Sequence, residues 1–562
     1  MELRNSAVLV AFLLLAGCDA ATNLTSPTQS SMSLSGSQAT NYFVSPKGDD
    51  ANPGTSQKLA WRTIQRVNAA DFSPGDKVFF QGGATFVGEL RFTEEDAGLP
   101  GAPVRVSSYG TGRATIVAQG SHGLLVYNAG YFEVRRLNVT SPDRTLNRGS
   151  GVLFYNDLPG NTKLSYLRVN NVTASGFGEH GIAIVGDPAD GTKSGYHDVH
   201  ITNSEAFDNA RTGIATSGRW STTSTEYAHS KLYVAHNHVH DNPGVPGRGN
   251  HSGSGIFLED VDGAKVEYNV AHHNGALNDY PGGGPVGIWA AVANNITLQF
   301  NESHNNRSKT IDGGGFDFDG GTTNSVMQYN YSHDNDGAGY LIWNYRGAPH
   351  TNANLTVRYN VSQDDGRNTR NGAIQAGGAT TGPLLIHNNT IILSRSPRGT
   401  AKGYLNAGSQ NTKFWNNILV GSGGVRLVQI TPRATSALQG NNYWATDGDL
   451  KMVWAGKVYG SYPAWRTASG QETLDGADTG LNVDPGLEST SAGVTLGDAR
   501  ALATLSAYRV RSDSPMVDAA LDLQRRFKVN PGKMDFYRTP LSNDTPRDIG
   551  AAEAIAPATA GL

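Results

Sequence analysis

An asparagine inside a short β-like segment recurs along most of this chain, at Asn138, Asn171, Asn203, Asn237, Asn269, Asn301, Asn330, Asn360, Asn388 and Asn416, with neighbours 28 to 34 residues apart. Its contexts are alike: VEYNVAHHN, LQFNESHNN, MQYNYSHDN and VRYNVSQDD. Between these positions comes a glycine followed by a short alternating strand, as in GIAI from Gly181, GIAT from Gly213, GIFL from Gly255, GIWA from Gly287, GFDF from Gly315 and GYLI from Gly339. A repeat of this length implies a solenoid or a propeller. Two or three short strands per repeat cannot cover their own apolar faces, so successive repeats must stack. Stacked coils form parallel sheets in which equivalent residues lie about 4.8 Å apart. An inward asparagine column then bonds along the stack and satisfies buried turn amides. The same ladder explains the many Asn-x-Ser/Thr triplets without glycans. A propeller is disfavoured, because its blades rarely carry so continuous a ladder.

The two ends of the chain add motifs. YFVSPKGDDANPGT from Tyr42, then WRTIQRV and SPGDKVFF, look like an N-terminal cap and first coil. NVDPGL, SPMVDAA and PRDIGAAE look like a closing segment in which Asp518 and Asp548 sit in turns that finish the stack. With the repeat, these motifs resemble the pectin lyase-like superfamily of pectate lyases and polygalacturonases over about residues 41 to 555. The resemblance implies an all-β, single-stranded right-handed parallel β-helix of ten or so coils. It does not fix the chemistry, since this scaffold hosts lyases, hydrolases, epimerases, esterases and adhesins. The catalytic motifs of the pectate, alginate and chondroitin lyases and of the polygalacturonases are not matched.

Arg4 precedes an apolar run, Ala7 to Leu15, that stops at Leu15-Ala16-Gly17-Cys18. The run is too short to span a bilayer. It resembles the lipobox of bacterial lipoproteins, which implies a signal peptide over 1–17, lipidation of Cys18, and export to face the periplasm or cell exterior. Residues 18–40, rich in Ser, Thr, Gln and Ala, read as a tether. The cap and first coils are expected over 41–130, the repeats over 131–445, and the last coils with the closing segment over 446–562. Cys18 is the only cysteine, so no disulfide holds the fold. A formal charge of -4 without a basic block excludes the electrostatic footprint of a nucleic-acid binder. The expected partners are a polysaccharide or oligosaccharide, and a membrane through the lipid anchor only, for a monomeric protein.

Strand alternation assigns faces. Ile256 and Leu258 point inward and Phe257 and Glu259 outward; Ile288 goes in and Trp289 out. Phe316 and Phe318 go in while Asp317 and Asp319 come out, and Tyr340 and Ile342 go in with Leu341 and Trp343 out. Carboxylates beside outward aromatics suit a sugar, whose apolar face stacks on a ring while its hydroxyls bond to the acids. Asp317 and Asp319 have Cα atoms roughly 6.5 to 7 Å apart by strand rise, and Glu259 lies two coils below Asp319, about 9.6 Å away. Both separations are near the roughly 6.5–9.5 Å between the carboxyls of inverting glycosidases.

Two inserted stretches adjoin this face: RWSTTSTEY with NPGVPGRGNHSGSG between the glycines at 213 and 255, and ALNDYPGGGP before Trp289. They bring Arg219, Trp220, Arg248 and His251 into consideration for substrate binding, while Tyr345 and Arg346 after Trp343 could hold an anionic substituent. His240, His272, His304 and His333 recur at one turn position and read as a stack, able to orient substrate if that turn borders the cleft. The HNHVH run at His236 to His240 would bind zinc only if no bulge separates its histidines.

A glycoside hydrolase is the first reading, with Asp317 and Asp319 as acid and base, Glu259 as the alternative partner, and Trp289, Phe257, Trp343, Tyr345, Arg346, His251, Arg248 and Trp220 binding substrate. No cofactor is required; calcium remains open, since oxygen-rich clusters suit a hard cation. The second reading is a lyase or epimerase acting on a uronate with calcium, using Lys309, Arg307 or Arg346. The third is a non-catalytic carbohydrate-binding β-helix.

Overall fold

The computed structural model describes residues 39–554 apart from 397, 399, 400, 492 and 543–545. The expected signal peptide, Cys18 and the tether as far as Gln38 lie outside the described residues. Thr40, assigned to that tether, already belongs to the folded body: its N–H donates to Asp76 Oδ1 at 2.7 Å and its carbonyl accepts the Lys77 N–H.

The chain winds into a parallel β-solenoid of about 11 turns. Each turn feeds three parallel ladders. The first runs through His180–Gly186, Thr212–Gly218, the start of Ser254–Glu267, the start of Val286–Gln299, Gly314–Phe318, Tyr340–Asn344 and Ile374–Gly378. The second follows it directly in each turn, so that Val261, Asp262 and Ala264 stand in register with Ala293, Asn294 and Ile296. The third is built of three-residue strands such as His238–His240, Val270–His272, Glu302–His304 and Tyr331–His333.

The expected alternation holds in the first ladder. Ile256, Ile288, Phe316 and Tyr340 are in register, and with Leu258, Ala290, Phe318 and Ile342 they are wholly buried in one continuous core.

The turn between the second and third ladders carries an asparagine column, Asn237, Asn269, Asn301, Asn330, Asn360, Asn389, Asn417 and Asn441. Each Nδ2–H and backbone N–H donates to the Oδ1 of the next asparagine at 2.8–3.1 Å. Glu472 ends the column, accepting from Asn441 Nδ2 and Tyr443 Oη. Five positions expected in this column fall outside it. Asn171, Asn203, Asn388 and Asn416 occupy the left-handed turn residue just before it, with φ of 51–56°, a conformation asparagine tolerates. Asn138 lies within the strand Phe132–Thr140 and donates to Thr115 Oγ1. A second column, Asn209, Asn242, Asn274, Asn306 and Asn335 ending on Asp365, lines the turn from the third ladder into the next coil.

At the N-terminal end Trp61, Ile64, Val67 and Phe72 join the same core. At the other end the helix Tyr462–Ser469 sets Tyr462 and Trp465 against Tyr443 and stops at left-handed Gly470. The closing segment then departs from expectation. Instead of adding coils it runs back along the solenoid, where Leu487, Leu502, Tyr508, Met516, Phe536 and Ile549 cover the aromatic turn column Phe300, Tyr329 and Tyr359. Asp518 sits in a left-handed turn (φ 55°) and Asp548 reaches it from elsewhere in the segment, Asp548 Oδ1 accepting the Asp518 N–H at 2.8 Å.

Candidate active site

The outward positions of the first ladder form the floor of a cavity of about 310 Å³ lined by Phe257, Glu259, Trp289, Asp317 and Asp319. Its walls come from both edges of that ladder. Asn250, His251, Tyr280, Gly282–Gly284 and Asp312 stand on the loops that lead into the strands; Trp220 and Tyr345 stand on the turns that leave them. Phe257, Trp289, Asp317 and Leu341 are register partners on consecutive coils, so Asp317 sits directly above the aromatic pair. Glu259 pairs with Ala291, and strand register carries that position up to Asp319.

The floor is far more enclosed than the bare strand pattern implied. Trp289 is 4% and Phe257 7% exposed, with their rings stacked at 3.7 Å and His251 set edge-on to Trp289 at 5.1 Å. These rings are therefore covered walls rather than open platforms. Asp317 is 3% exposed. Burial, with Asp319 and Asp312 nearby, holds its carboxyl well above the usual range. Burial lifts Asp319 to about 7, Asp312 to about 6 and, with help from Asp260, Glu259 to about 7. His251 is pushed down to about 4 by burial and by Arg211 and Arg248, so it is neutral at neutral pH.

Four buried polar atoms at this cavity have no hydrogen-bond partner among the described residues: Asp317 Oδ1, Asp319 Oδ1, Trp289 Nε1 and His251 Nδ1. Unmet groups of this kind cost about 1–3 kcal/mol each, and their convergence in one cavity marks where a hydroxyl-rich ligand would bond.

Asp312 is absent from the sequence-based candidates. It occupies a left-handed turn (φ 61°) in the glycine-rich approach to Phe316, and its Oδ2 accepts the Gly284 N–H at 2.8 Å, which ties two wall loops together. The only signal in the sequence is an aspartate before three glycines.

The remaining candidates separate. Trp343, Tyr345 and Arg346 line a larger groove of about 1030 Å³ higher on the stack, with Tyr345 shared by both spaces. A methyl group at Gly377 would overlap the Trp343 ring, so only glycine permits that ring to lie down there. Arg248 lines neither space; it pairs with Glu179 at 3.3 Å, beside Arg211. Arg219 pairs with Asp187 at 3.0 Å. Trp220 is 52% exposed at the cavity rim. Arg307 is tied to Asp336 and the Asp334 carbonyl, and neither it nor Lys309 lines the acid cavity; of the three bases considered for a lyase, Arg346 alone stands in the adjoining groove. His240, His272, His304 and His333 stack on the third ladder with successive ring centroids at 5.0, 4.8 and 4.7 Å, and none borders the cavity. His236 adopts φ 58° and stacks on Tyr268, so a bend separates it from the strand that carries His238 and His240.

Residues 160–360 match the family model described as a right handed beta helix region. With the observed ladders this shows a right-handed parallel β-helix. A lacto-N-biosidase of Bifidobacterium longum subsp. longum is 26% identical over 517 residues, an alignment covering 75% of this chain and 31% of that protein. The chain thus spans about a third of the length of that relative. The crystal structure of a GH136 lacto-N-biosidase from Eubacterium ramulus superposes with a TM-score of 0.50 at 21% identity, over 67% of this chain and 68% of that one. The pectate lyase Pel9A is covered over 97% of its chain and matches 92% of this one, at 15% identity and a TM-score of 0.40.

Proposed function

We propose that this chain is a glycoside hydrolase that cleaves an oligosaccharide or polysaccharide in the cavity above Phe257 and Trp289. The observation that carries this is the convergence of Asp312, Asp317, Asp319 and Glu259, all desolvated, on one enclosed space with unpaired oxygens. The curated relative, itself a lacto-N-biosidase by name, supports the same class.

Proton transfer at neutral pH needs groups that titrate near neutrality. Asp312 and Asp319 meet that need, reach the cavity from different segments, and share about one proton between pH 6 and 7. The protonated member gives its proton to the glycosidic oxygen as the bond to the anomeric carbon breaks. The ionised member attacks that carbon or takes a proton from the incoming water. Burial and the neighbouring acids hold the Asp317 carboxyl well above the usual range, and we assign it as a neutral hydrogen-bond donor to substrate or to Asp319. Glu259, Trp289 Nε1 and His251 bind sugar hydroxyls, and the groove at Trp343 and Arg346 receives the rest of the chain. The resemblance of Leu15–Cys18 to a lipobox supports anchoring of this activity at a bacterial membrane surface after export; Cys18→Ser should move the protein from the membrane to the soluble fraction.

The test is incubation with a glycan panel that includes substrates of lacto-N-biosidases, recording both new reducing ends and the absorbance of unsaturated uronates. Reducing ends without unsaturation are expected. Unsaturated products would make the protein a lyase, and binding without products would leave a carbohydrate-binding β-helix.

A further inference from the structure

The third ladder carries a cluster of side chains that the hydrolase reading does not use. Glu205 on Glu205–Phe207 is the register partner of His238, and His240 is the partner of His272 on the next coil. His238 and His240 are two residues apart on one strand and share a face. One donor atom from each of Glu205, His238 and His240 lies within 4.8 Å of the other two, and all three residues are half-buried.

The hydrogen-bond partners allow one nitrogen of each histidine to be free in a consistent choice of tautomers. His240 Nδ1 lies 2.8 Å from Asp241 Oδ2, so it carries the proton and Nε2 presents a lone pair. In the neutral ring that lone pair faces Glu205 Oε1 at 3.4 Å, an opposition of two acceptors that a proton or a metal ion between them relieves. His238 Nε2 lies 2.7 Å from His272 Nε2; with His238 as donor, its Nδ1 is left as a second free lone pair. Each histidine would then donate one N–H to an orienting group while turning the other nitrogen inward, as metal-ligating histidines do.

The corresponding cluster three coils higher behaves differently. There both Glu302 oxygens accept backbone N–H groups, from Leu496 and Gly497 at 2.8 Å, and His333 bridges Glu302 and Asp334 and is lifted to about 8. A proton satisfies that group; no comparable backbone donors reach Glu205 among the hydrogen bonds of the described residues, where its Oε2 accepts only from Thr173 Oγ1. His238 also borders a cavity of about 470 Å³ shared with Gly497, Asp498 and Arg500 of the returning segment, which leaves room for a water as a fourth ligand.

We propose that Glu205, His238 and His240 form a binding site for one divalent transition-metal ion of the zinc type. Two imidazoles and a carboxylate suit such an ion rather than calcium or magnesium, which prefer all-oxygen sets. The ion bridges two successive coils beside the returning segment, and its binding stabilises the folded chain by mass action.

The experiment is equilibrium dialysis and thermal unfolding of the tag-free, chelator-treated full chain with Zn²⁺ and with Ca²⁺. One Zn²⁺ per chain should bind at micromolar or tighter concentration, with a higher Tm, and Ca²⁺ should do neither. The double variant His238→Gln/His240→Gln should lose at least 100-fold in Zn²⁺ affinity and all of the Zn²⁺-induced Tm rise, while His333→Gln keeps both. Glu205→Gln, the mildest change, should weaken binding at least tenfold and guards against a misfolded double variant. Absence of stoichiometric Zn²⁺ binding, or binding that survives in both the double variant and Glu205→Gln, overturns the site.

Discussion

Phe257 and Trp289 occupy the same register position on consecutive coils and lie face to face at 3.7 Å and 10°, which makes the cavity floor a packed aromatic layer. Trp289→Ala should therefore damage both stability and catalysis, costing about 3–5 kcal/mol through the void it leaves under His251. Trp289→Phe keeps the ring and removes the unpaired Nε1. Its unfolding free energy should stay within about 1 kcal/mol of wild type while KM rises. An unchanged KM would mean that Nε1 touches no substrate.

Asn301 and Asn330 each donate through Nδ2 to the next asparagine and to the strand carbonyl below, and both are wholly buried. Leucine at either place strands those acceptors and should lower stability by about 3 kcal/mol or more. Denaturant unfolding measures this directly. A neutral result at both positions would show that water, not the ladder, satisfies the turn.

Desolvation of Asp319 links its proton to folding. The folded group titrates at about 7 and an unfolded aspartate near ~3.9. The folded chain thus binds the extra proton between these values, and stability present below about pH 4 is lost as pH rises toward 7. Asp319→Asn removes that loss. The variant should melt about 2 °C or more above wild type at pH 7.5 and show no such gain at pH 4. A gain independent of pH would mean that Asp319 is not desolvated.

Removal of calcium separates the hydrolase from the uronate lyase. Hydrolysis by Asp312 and Asp319 should keep full rate in excess EGTA, whereas a rate restored only by added Ca²⁺ would reassign the acids as metal ligands.

Much of this was legible in the sequence, for definite reasons. The asparagine repeat fixes a stacked coil, and strict alternation in Gly315-Phe316-Asp317-Phe318-Asp319 puts both acids outside the core, as observed. The register of the asparagine column slipped by one residue at Asn388-Asn389 and Asn416-Asn417, where doubled asparagines make a left-handed turn residue and a ladder residue look alike. Burial of Trp289 could not be read from its strand, because it depends on where two distant loops settle. Asp312 was invisible to periodicity, since a glycine-rich turn has no face. The returning segment was hidden because its apolar residues cover aromatic side chains far earlier in the chain, as Tyr508 meets Tyr331, 177 residues before it.

The most direct measurement is kcat/KM of Asp312→Asn, Asp319→Asn and Asp317→Asn on one hydrolysed substrate, with melting curves as the folding control. Asn keeps a hydrogen-bond donor but cannot cycle a proton. Asp312→Asn and Asp319→Asn should each lose about 10²-fold or more, and Asp317→Asn about tenfold or less. Full activity in both Asp312→Asn and Asp319→Asn, or a loss confined to Asp317→Asn, would contradict catalysis by the Asp312 and Asp319 pair.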